Sequence, residues 1–181
     1  MSKEAKYASH LPVFEELFKM SSFKNVLEFG CGNYSTSFFL DHCDKVTSIE
    51  NWDENWYNKI KQEISSKKHT LIYSKGIGAI DYLKNDYYDL IFVDADKRQE
   101  CINASFGKSS VIVVHDLGHK NIGKGFLKGI IANNYILFMA TISYPATSIF
   151  TNDRYLIEKL SNNNKFITID QMEFVEMFLV N

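Results

Sequence analysis

The sequence predicts an α/β fold, in which a single domain over residues 1–181 is built on a doubly wound, mostly parallel sheet of seven strands with helices on both faces. Strand-like and helix-like segments alternate along most of the chain, which is the pattern of a parallel sheet covered on both sides. The run DLIFVD at 89–94 is almost continuously apolar, as expected for a strand in the middle of such a sheet. The length of 181 residues, with 45% hydrophobic and 23% charged residues, suits one domain with one core.

Each strand of the predicted sheet is a short apolar run that ends at glycine, proline or polar residues. The first run, KNVLEF, stops directly before Gly30, and a turn that contains Pro145 separates the last two runs. Glycine and proline mark the ends of regular elements because their backbones favour turns. The seven predicted strands are 24–29, 45–50, 69–74, 89–94, 110–115, 135–142 and 146–151.

Helices are predicted between the strands, where apolar residues recur at helical spacing. Phe14 and Leu17 belong to the apolar face of the first helix. Ser35 and Thr36 are candidates for the N-cap of the second helix, and Asp53 is the candidate for the third. The predicted helices are 11–20, 35–43, 53–65, 77–83, 98–105 and 125–133.

The two ends of the chain flank this core. Residues 1–23 are predicted to form an N-terminal helix or lid, and residues 153–181 a C-terminal extension with a helix, a polar turn, a short strand and a last helix. Asp170 and Glu173 have the spacing of a capping box for that last helix. The apolar residues of the extension favour a cover over one sheet edge, and pairing with a second copy is the alternative. The protein is therefore expected to be a monomer or a homodimer.

The composition and net charge of the chain disfavour some classes of partner and location. A net charge of −2 and a pI near 6.2 disfavour a nucleic-acid partner, which usually meets a basic domain. The three cysteines have no paired spacing, which predicts free thiols in a reducing compartment. We find no signal-like apolar run at the start and no stretch of membrane-spanning length. A cytoplasmic protein without a membrane partner is expected.

The segment VLEFGCGNYST, 26–36, carries the clearest functional pattern. An apolar strand runs into Gly30 and Gly32, and a helix follows. Such glycines let the backbone approach a ligand closely, and the start of the helix offers unpaired N–H groups to an anion. Glu50 follows about 20 residues later, at the carboxyl end of the second strand, where a carboxylate can accept both hydroxyls of a ribose.

Two residues decide which nucleoside-containing cofactor suits this pattern. Dinucleotide sites usually have a third glycine three residues after the second, and Ser35 occupies that place. Glu28 lies two residues before Gly30, where it would repel a pyrophosphate and attract the ammonium group of a methionine moiety. The pattern therefore favours S-adenosyl-L-methionine.

The same segment resembles the first motif of the class I methyltransferases, an acidic residue followed by x-Gly-x-Gly. The resemblance covers 26–151, including the strands that end in Asp94 and Asp116. It implies a Rossmann-like fold, with S-adenosyl-L-methionine as cofactor and S-adenosyl-L-homocysteine as product. The implied cofactor contacts are Glu28 at the methionine amino end, Gly30, Gly32, Ser35 and Thr36 along the cofactor and its carboxylate, Glu50 on the ribose, Asn51 or Trp52 beside the adenine with Gly76 and Ile77 near them, and Asp94 next to the cofactor strand.

Three candidate catalytic residues lie at the carboxyl ends of neighbouring strands: Asp94, His115 and Asp116. Ligands of open α/β sheets bind beyond these ends. Methyl transfer from a sulfonium depends on alignment, and a base is needed only where the acceptor must lose a proton. His115 is the strongest candidate for that base because its ordinary pKa is near neutrality. The alternative is a partly buried histidine held by the neighbouring backbone.

The segment FVDADK, 92–97, resembles the cation-dependent catechol and caffeoyl-coenzyme A O-methyltransferases. In that family the first Asp of the motif, with an Asp-Asn pair after the next strand, holds a divalent cation. Asp94 and Asp116 match two of these ligands, but Leu117 stands where Asn is expected. Hard cations need several oxygen ligands. A divalent cation is therefore not favoured, and the sequence assigns no metal ligands.

A broader resemblance is to small methyltransferases with a Glu-x-Gly-x-Gly-x-x-Ser-Thr motif. The chain shares with them a Ser-His-x-Pro segment at 9–12, a His-Asp pair after the fifth strand, and Thr147 near the last strand. This resemblance implies that His10 closes over the site as part of a lid, which makes it a further catalytic candidate. The alternative for His10 is a surface residue near a helix cap.

The sequence therefore predicts an S-adenosylmethionine-dependent methyltransferase that acts on a hydroxyl or amine of a small molecule, for example a sugar or another metabolite. The chain has no large insertion for a macromolecular substrate, and residues 94–97 (DADK) do not match the Asn-Pro-Pro-Tyr motif of many amino-directed DNA and protein methyltransferases. Three alternatives stay open: a protein that binds the cofactor without chemistry, an enzyme that uses the cofactor without methyl transfer, and a dehydrogenase with an unusual glycine motif.

Overall fold

The computed structural model of the chain describes residues 8–83, 86–117, 126–143 and 145–169, without the side chains of 126 and 127. In these ranges the chain forms one mixed sheet of eight strands, six α-helices and a 3-10 helix. The last helix predicted in the extension, with Asp170 and Glu173, lies outside the described residues. So do residues 1–7 of the predicted lid.

The sheet contains one strand more than predicted. The short strand expected in the extension, Phe166–Ile169, pairs antiparallel with Ile136–Ala140 and extends the sheet. The prediction of seven strands is wrong because a sheet edge with unpaired backbone groups accepts a further strand. The eight strands are β1 (Asn25–Phe29), β2 (Lys45–Glu50), β3 (His69–Tyr73), β4 (Leu90–Val93), β5 (Val111–His115), β6 (Ile136–Ala140), β7 (Thr147–Thr151) and β8 (Phe166–Ile169).

The strand order is β3-β2-β1-β4-β5-β7-β6-β8. Strands β1 to β5 run parallel, whereas β7 is antiparallel to β5 and β6, and β8 is antiparallel to β6. The chain order reverses at β1, with β2 on one side and β4 on the other. Open α/β sheets bind ligands in the crevice beyond the carboxyl ends at such a switch point. The turn that follows β1 and contains Gly30 and Gly32, called the glycine turn below, lies at this point.

The helices follow the predicted positions closely. Asp53 caps its helix, as predicted, by accepting the Asn55 N–H at 2.8 Å. Ser35 and Thr36 do not cap theirs: Tyr34 is at the N-cap without a side-chain bond, because the Thr36 hydroxyl turns back to β1. The helices are α1 (Leu11–Met20), α2 (Ser35–His42), α3 (Glu54–Glu63), the 3-10 helix (Gly76–Leu83), α4 (Arg98–Ser105), α5 (Phe126–Ala132) and α6 (Arg154–Ser161).

Two apolar layers sandwich the sheet. Alternate residues of β4 point to opposite faces, so Ile91 and Val93 pack with the 3-10 helix, α4 and α5, whereas Leu90 and Phe92 pack with α1, α2 and α6. This arrangement confirms helices on both faces. None of the described helices is long and apolar enough to span a membrane.

Helix α1 places the segment before it at the carboxyl end of β4. Phe14 on this helix packs against Phe92 and Phe39, with ring centroids 4.9 Å and 4.7 Å apart. These rings are fully buried. The aromatic contacts therefore fix the position of Ser9 and His10, the residues that lead into α1.

Candidate active site

Gly30 ends β1 in a conformation that suits only glycine. Its φ is +83°, and a Cβ here would collide with the main-chain carbonyl oxygen of Asp94. The Gly30 N–H donates to the Ile49 carbonyl and the Asp94 N–H to the Phe29 carbonyl, each at 2.9 Å. The close approach of the ends of β1 and β4 therefore depends on the missing side chain.

Glu28 is a fully buried carboxylate beneath the glycine turn. Its Oε2 accepts the hydroxyls of Thr36 at 2.6 Å and Ser48 at 2.7 Å. The Thr36 hydroxyl also accepts the Gly32 N–H at 3.0 Å, which ties the turn to the carboxylate. Burial raises the pKa of Glu28 to about 7, despite these donors. Its Oε1 has no partner among the described residues, and such a buried acceptor is costly unless a ligand or water supplies a donor.

Glu50 ends β2 and is 4% exposed. Its Oε1 accepts the main-chain N–H groups of Trp52 at 2.9 Å and Asp53 at 3.2 Å. The Cys31 thiol lies 3.6 Å from Oε2, and burial with the nearby carboxylates raises the pKa of this thiol, so it stays protonated. The carboxylate is thus held in one orientation, with lone pairs left for further donors.

Asn51 and Trp52 follow with opposite environments. Asn51 is buried, and its Nδ2 donates to the Asp96 carbonyl at 2.7 Å, which braces the end of β2 against the loop after β4. The Trp52 side chain is 70% exposed. Its ring therefore offers a surface that a planar group could cover, whereas Asn51 holds the two strand ends together.

A chain of three polar side chains links the N-terminal segment to the ends of β4 and β5. His115 Nδ1 lies 3.2 Å from Asp94 Oδ2, and His115 Nε2 lies 2.8 Å from Ser9 Oγ. The other Asp94 oxygen accepts from Arg98 Nη2 at 2.7 Å. Burial acts to raise the pKa of Asp94, but its bond to His115 and the Arg98 guanidinium hold this pKa below its ordinary value. Side chains, not the neighbouring backbone, therefore hold His115.

His10 is buried rather than on the surface, with 3% of it exposed. Its ring centroid is 5.1 Å from Phe14 and 5.2 Å from both Phe92 and His115. Burial, with His115 close by, lowers the pKa of His10 to about 4, so the ring is neutral at neutral pH. Within the described ranges neither ring nitrogen has a hydrogen-bond partner.

Asp116 lies beside the group formed by His10, Asp94 and His115 and is not part of it. It has a left-handed φ of +56°, and its carbonyl accepts from Arg98 Nη1 at 3.4 Å. Thr147 pairs with His115 across β5 and β7, and its buried hydroxyl has no partner in the part of the chain described. Three of the four predicted catalytic residues, His10, Asp94 and His115, are thus brought together.

Proteins of known structure share this architecture. No protein-family model and no curated protein matches the sequence. A caffeoyl-CoA O-methyltransferase-like protein from Staphylococcus aureus superposes with a TM-score of 0.60 at 21% identity, over 78% of this chain and 81% of that one. The N-methyltransferase NodS from Bradyrhizobium japonicum, in complex with S-adenosyl-L-homocysteine, gives 0.53 at 14% identity over 80% and 86%. An rRNA methylase from Streptococcus thermophilus gives 0.52 at 14% over 77% and 93%.

The chain has the class I methyltransferase fold. In this methyltransferase fold, the glycine turn and both buried glutamates lie on the β1–β2 side of the switch point, and the Asp94–His115 pair lies on the β4–β5 side. Sequence reasoning missed the role of Arg98, although its position four residues after Asp94 is a signal for an ion pair across the start of α4. It named Ser9 only as part of a motif, because no local pattern links residues 106 positions apart.

Proposed function

We propose that the chain is an S-adenosylmethionine-dependent methyltransferase that acts on a hydroxyl or amine of a small molecule. One observation carries the proposal: two buried carboxylates, Glu28 and Glu50, flank a glycine turn at the switch point of the sheet. Their negative charge suits a cofactor with an ammonium group and ribose hydroxyls, and it opposes a pyrophosphate.

The residues around the turn fit this cofactor. The unpartnered Oε1 of Glu28 can accept an ammonium N–H, and the Glu50 carboxylate, already oriented by two main-chain amides, can accept the ribose hydroxyls. The exposed Trp52 ring can cover the adenine. The NodS complex with S-adenosyl-L-homocysteine supports the assignment, since that protein has the same fold.

The bound cofactor supplies an already activated methyl group, so the contribution of the chain is chiefly alignment, which gives up to about 7–11 kcal/mol in favourable cases. The acceptor is assigned to the carboxyl ends of β4 and β5, beside His10, Asp94, His115 and Asp116. A hydroxyl acceptor must also lose its proton there, and a well-placed group that removes it adds roughly 10²–10⁴-fold. The sequence predicts His115 as this base. In the structure, however, Asp94 contacts one of its ring nitrogens and Ser9 the other, so neither nitrogen is left open for the acceptor proton.

Formation of S-adenosyl-L-homocysteine tests the function directly. The protein is incubated with methyl-labelled S-adenosyl-L-methionine and a panel of sugars, phenols and small amines. We expect product with one acceptor class, and a loss of turnover for His115→Gln with unchanged cofactor affinity, because His115 connects Asp94 and Ser9 where the acceptor is assigned. Tight cofactor binding without methyl transfer to any member of the panel would instead favour a cofactor-binding protein without chemistry or an enzyme that uses the cofactor without methyl transfer.

A further inference from the structure

We propose that His10, Asp94 and His115 bind a divalent transition-metal ion on the acceptor side of the site. Each of the three side chains offers a nitrogen or oxygen atom, and these atoms lie within 4.8 Å of one another. The three residues come from the segment before α1 and from the ends of β4 and β5. Metal binding itself is independent of the proposed function, and only the role given to the ion rests on it.

Two of the ligand atoms already have the spacing of neighbours in a coordination sphere. His115 Nδ1 and Asp94 Oδ2 are 3.2 Å apart. Ligands about 2.1 Å from a tetrahedral ion lie roughly 3.4 Å from one another. A shift of the His10 ring by roughly 1–1.5 Å closes the remaining distance to the same value.

The environment of His10 points to a ligand rather than to a structural histidine. The ring is 3% exposed, and both its nitrogens lack hydrogen-bond partners among the described residues. A buried polar group without a hydrogen-bond partner lowers the free energy of unfolding. Its polar neighbours are already engaged, since Asp94 is bonded to Arg98 and to His115, and His115 to Ser9. A metal ion bound by one nitrogen of His10 removes much of this cost.

The surrounding hydrogen bonds are those that orient metal ligands. A metal-bound imidazole usually donates its second N–H to an oxygen atom. With Nδ1 of His115 on the ion, Nε2 carries the proton and donates to Ser9 Oγ, which already lies 2.8 Å away. Arg98 holds Oδ1 of Asp94 at 2.7 Å and leaves Oδ2 for the ion.

The ligand types select the class of ion. Two imidazoles and one carboxylate suit Zn²⁺, Co²⁺ or Fe²⁺, whereas Mg²⁺ and Ca²⁺ need oxygen ligands. The sequence-based expectation of no metal considered an all-oxygen site, in which Leu117 replaces a required Asn. The proposed site uses different ligands and does not involve Leu117.

Such an ion would keep positions open for the acceptor. An acceptor hydroxyl bound there has a lowered pKa and releases its proton to water, which leaves an alkoxide or phenoxide on the ion. This oxygen forms its new bond to the methyl carbon as the carbon–sulfur bond of the cofactor breaks and that electron pair stays on sulfur. His115 then acts as a ligand instead of a base.

Titration with Co²⁺, in the absence of cofactor, tests the site. We expect calorimetry to show one Co²⁺ ion bound per chain and a higher Tm for the metal-bound protein. The visible absorption spectrum should show the bands of a Co²⁺ ion in a site of low symmetry, without a charge-transfer band from a thiolate ligand. Mg²⁺ should not bind. The main variant is His10→Phe, which removes both nitrogens but keeps a ring among Phe14 and Phe92. It should bind at least about 100-fold more weakly, and Ser9→Ala about 10–100-fold more weakly. His42→Ala, which changes a histidine stacked on Phe38, is the matched control and should bind like the wild type.

Equal Co²⁺ affinity in the wild type and His10→Phe would overturn the proposal, as would no binding to the folded wild type at millimolar Co²⁺. His10→Ala, compared by circular dichroism and Tm, gives a second test if the phenylalanine does not fit. Binding of S-adenosyl-L-homocysteine is measured separately without metal. Its absence, with Co²⁺ bound at His10, would contradict the proposed function and leave the metal site intact.

Discussion

At the scale of single residues, the two glutamates of the site are held by different donors. Glu50 accepts two main-chain N–H groups, which the fold fixes rigidly. Glu28 accepts only hydroxyls and is fully buried, which raises its pKa to about 7. Because Glu28 is fully buried and its Oε1 makes no hydrogen bond among the described residues, a negative charge on this side chain is unfavourable until a cation approaches.

Replacement of Glu28 by Gln should change how stability depends on pH. The pKa of Glu28 is about 7 in the folded state and ordinary in the unfolded state, so its contribution to stability is full below about pH 4.5 and is lost as pH rises to about 7. Glu28→Gln should therefore be more stable than the cofactor-free wild type at pH 8, by on the order of 1–3 kcal/mol, and similar to it at pH 4.5. Urea unfolding at the two pH values measures this, and a pH-independent difference would contradict the assignment.

The glycine turn allows a matched pair of substitutions. Gly30→Ala should destabilise the protein by about 2–5 kcal/mol, since it adds left-handed strain to a collision with the Asp94 carbonyl. Gly76→Ala, at φ +69° with nothing within 4 Å of the added Cβ, should cost only about 1–2 kcal/mol. Thermal and urea unfolding measure the loss of stability in each variant. Similar losses in the two would show that the ends of β1 and β4 leave room for a side chain at Gly30.

At the scale of elements, an ion pair joins the extension to α1, the helix that directly follows Ser9 and His10. Lys165, just before β8, donates to Glu16 on α1 at 2.8 Å. Lys19 reaches the same oxygen at 2.8 Å from within α1. Bonds to Lys165 first, and then to Lys19, lower the pKa of Glu16 to about 2. The extension thus supports the position of α1, and through it the residues at the end of β4.

Lys165→Ala should lower stability in a pH-dependent way. Because the pKa of Glu16 is depressed in the folded state, its contribution is present above about pH 4.5 and is lost as pH falls to about 2. We expect a Tm lower by a few degrees at pH 7, and a difference from the wild type that vanishes near pH 2. Lys19→Ala, which removes the contact inside α1, should lower Tm less. An equal or larger effect for Lys19→Ala would mean that α1 and the extension are not coupled.

At the scale of the whole molecule, local patterns predicted most of the fold. Apolar runs such as LIFV in β4 and the cap at Asp53 depend on neighbours in sequence, and both are found where they were expected. The eighth strand was not counted because pairing of β8 with β6 depends on which edge is left open. The cluster at the acceptor side was predicted as separate candidates, because contacts such as Ser9 to His115 arise only when the sheet and α1 are assembled.

The measurement that tests the central claim most directly is calorimetric binding of S-adenosyl-L-homocysteine, S-adenosyl-L-methionine and NAD at neutral pH. We expect the first two to bind and NAD not to bind. Glu50→Ala should weaken binding by about 10–100-fold, because hydrogen bonds to a charged acceptor contribute about 1.5–3 kcal/mol. Glu54→Ala, an exposed acid at the start of α3, should bind like the wild type. Binding of NAD alone, or equal binding of S-adenosyl-L-homocysteine by the wild type and Glu50→Ala, would contradict the account.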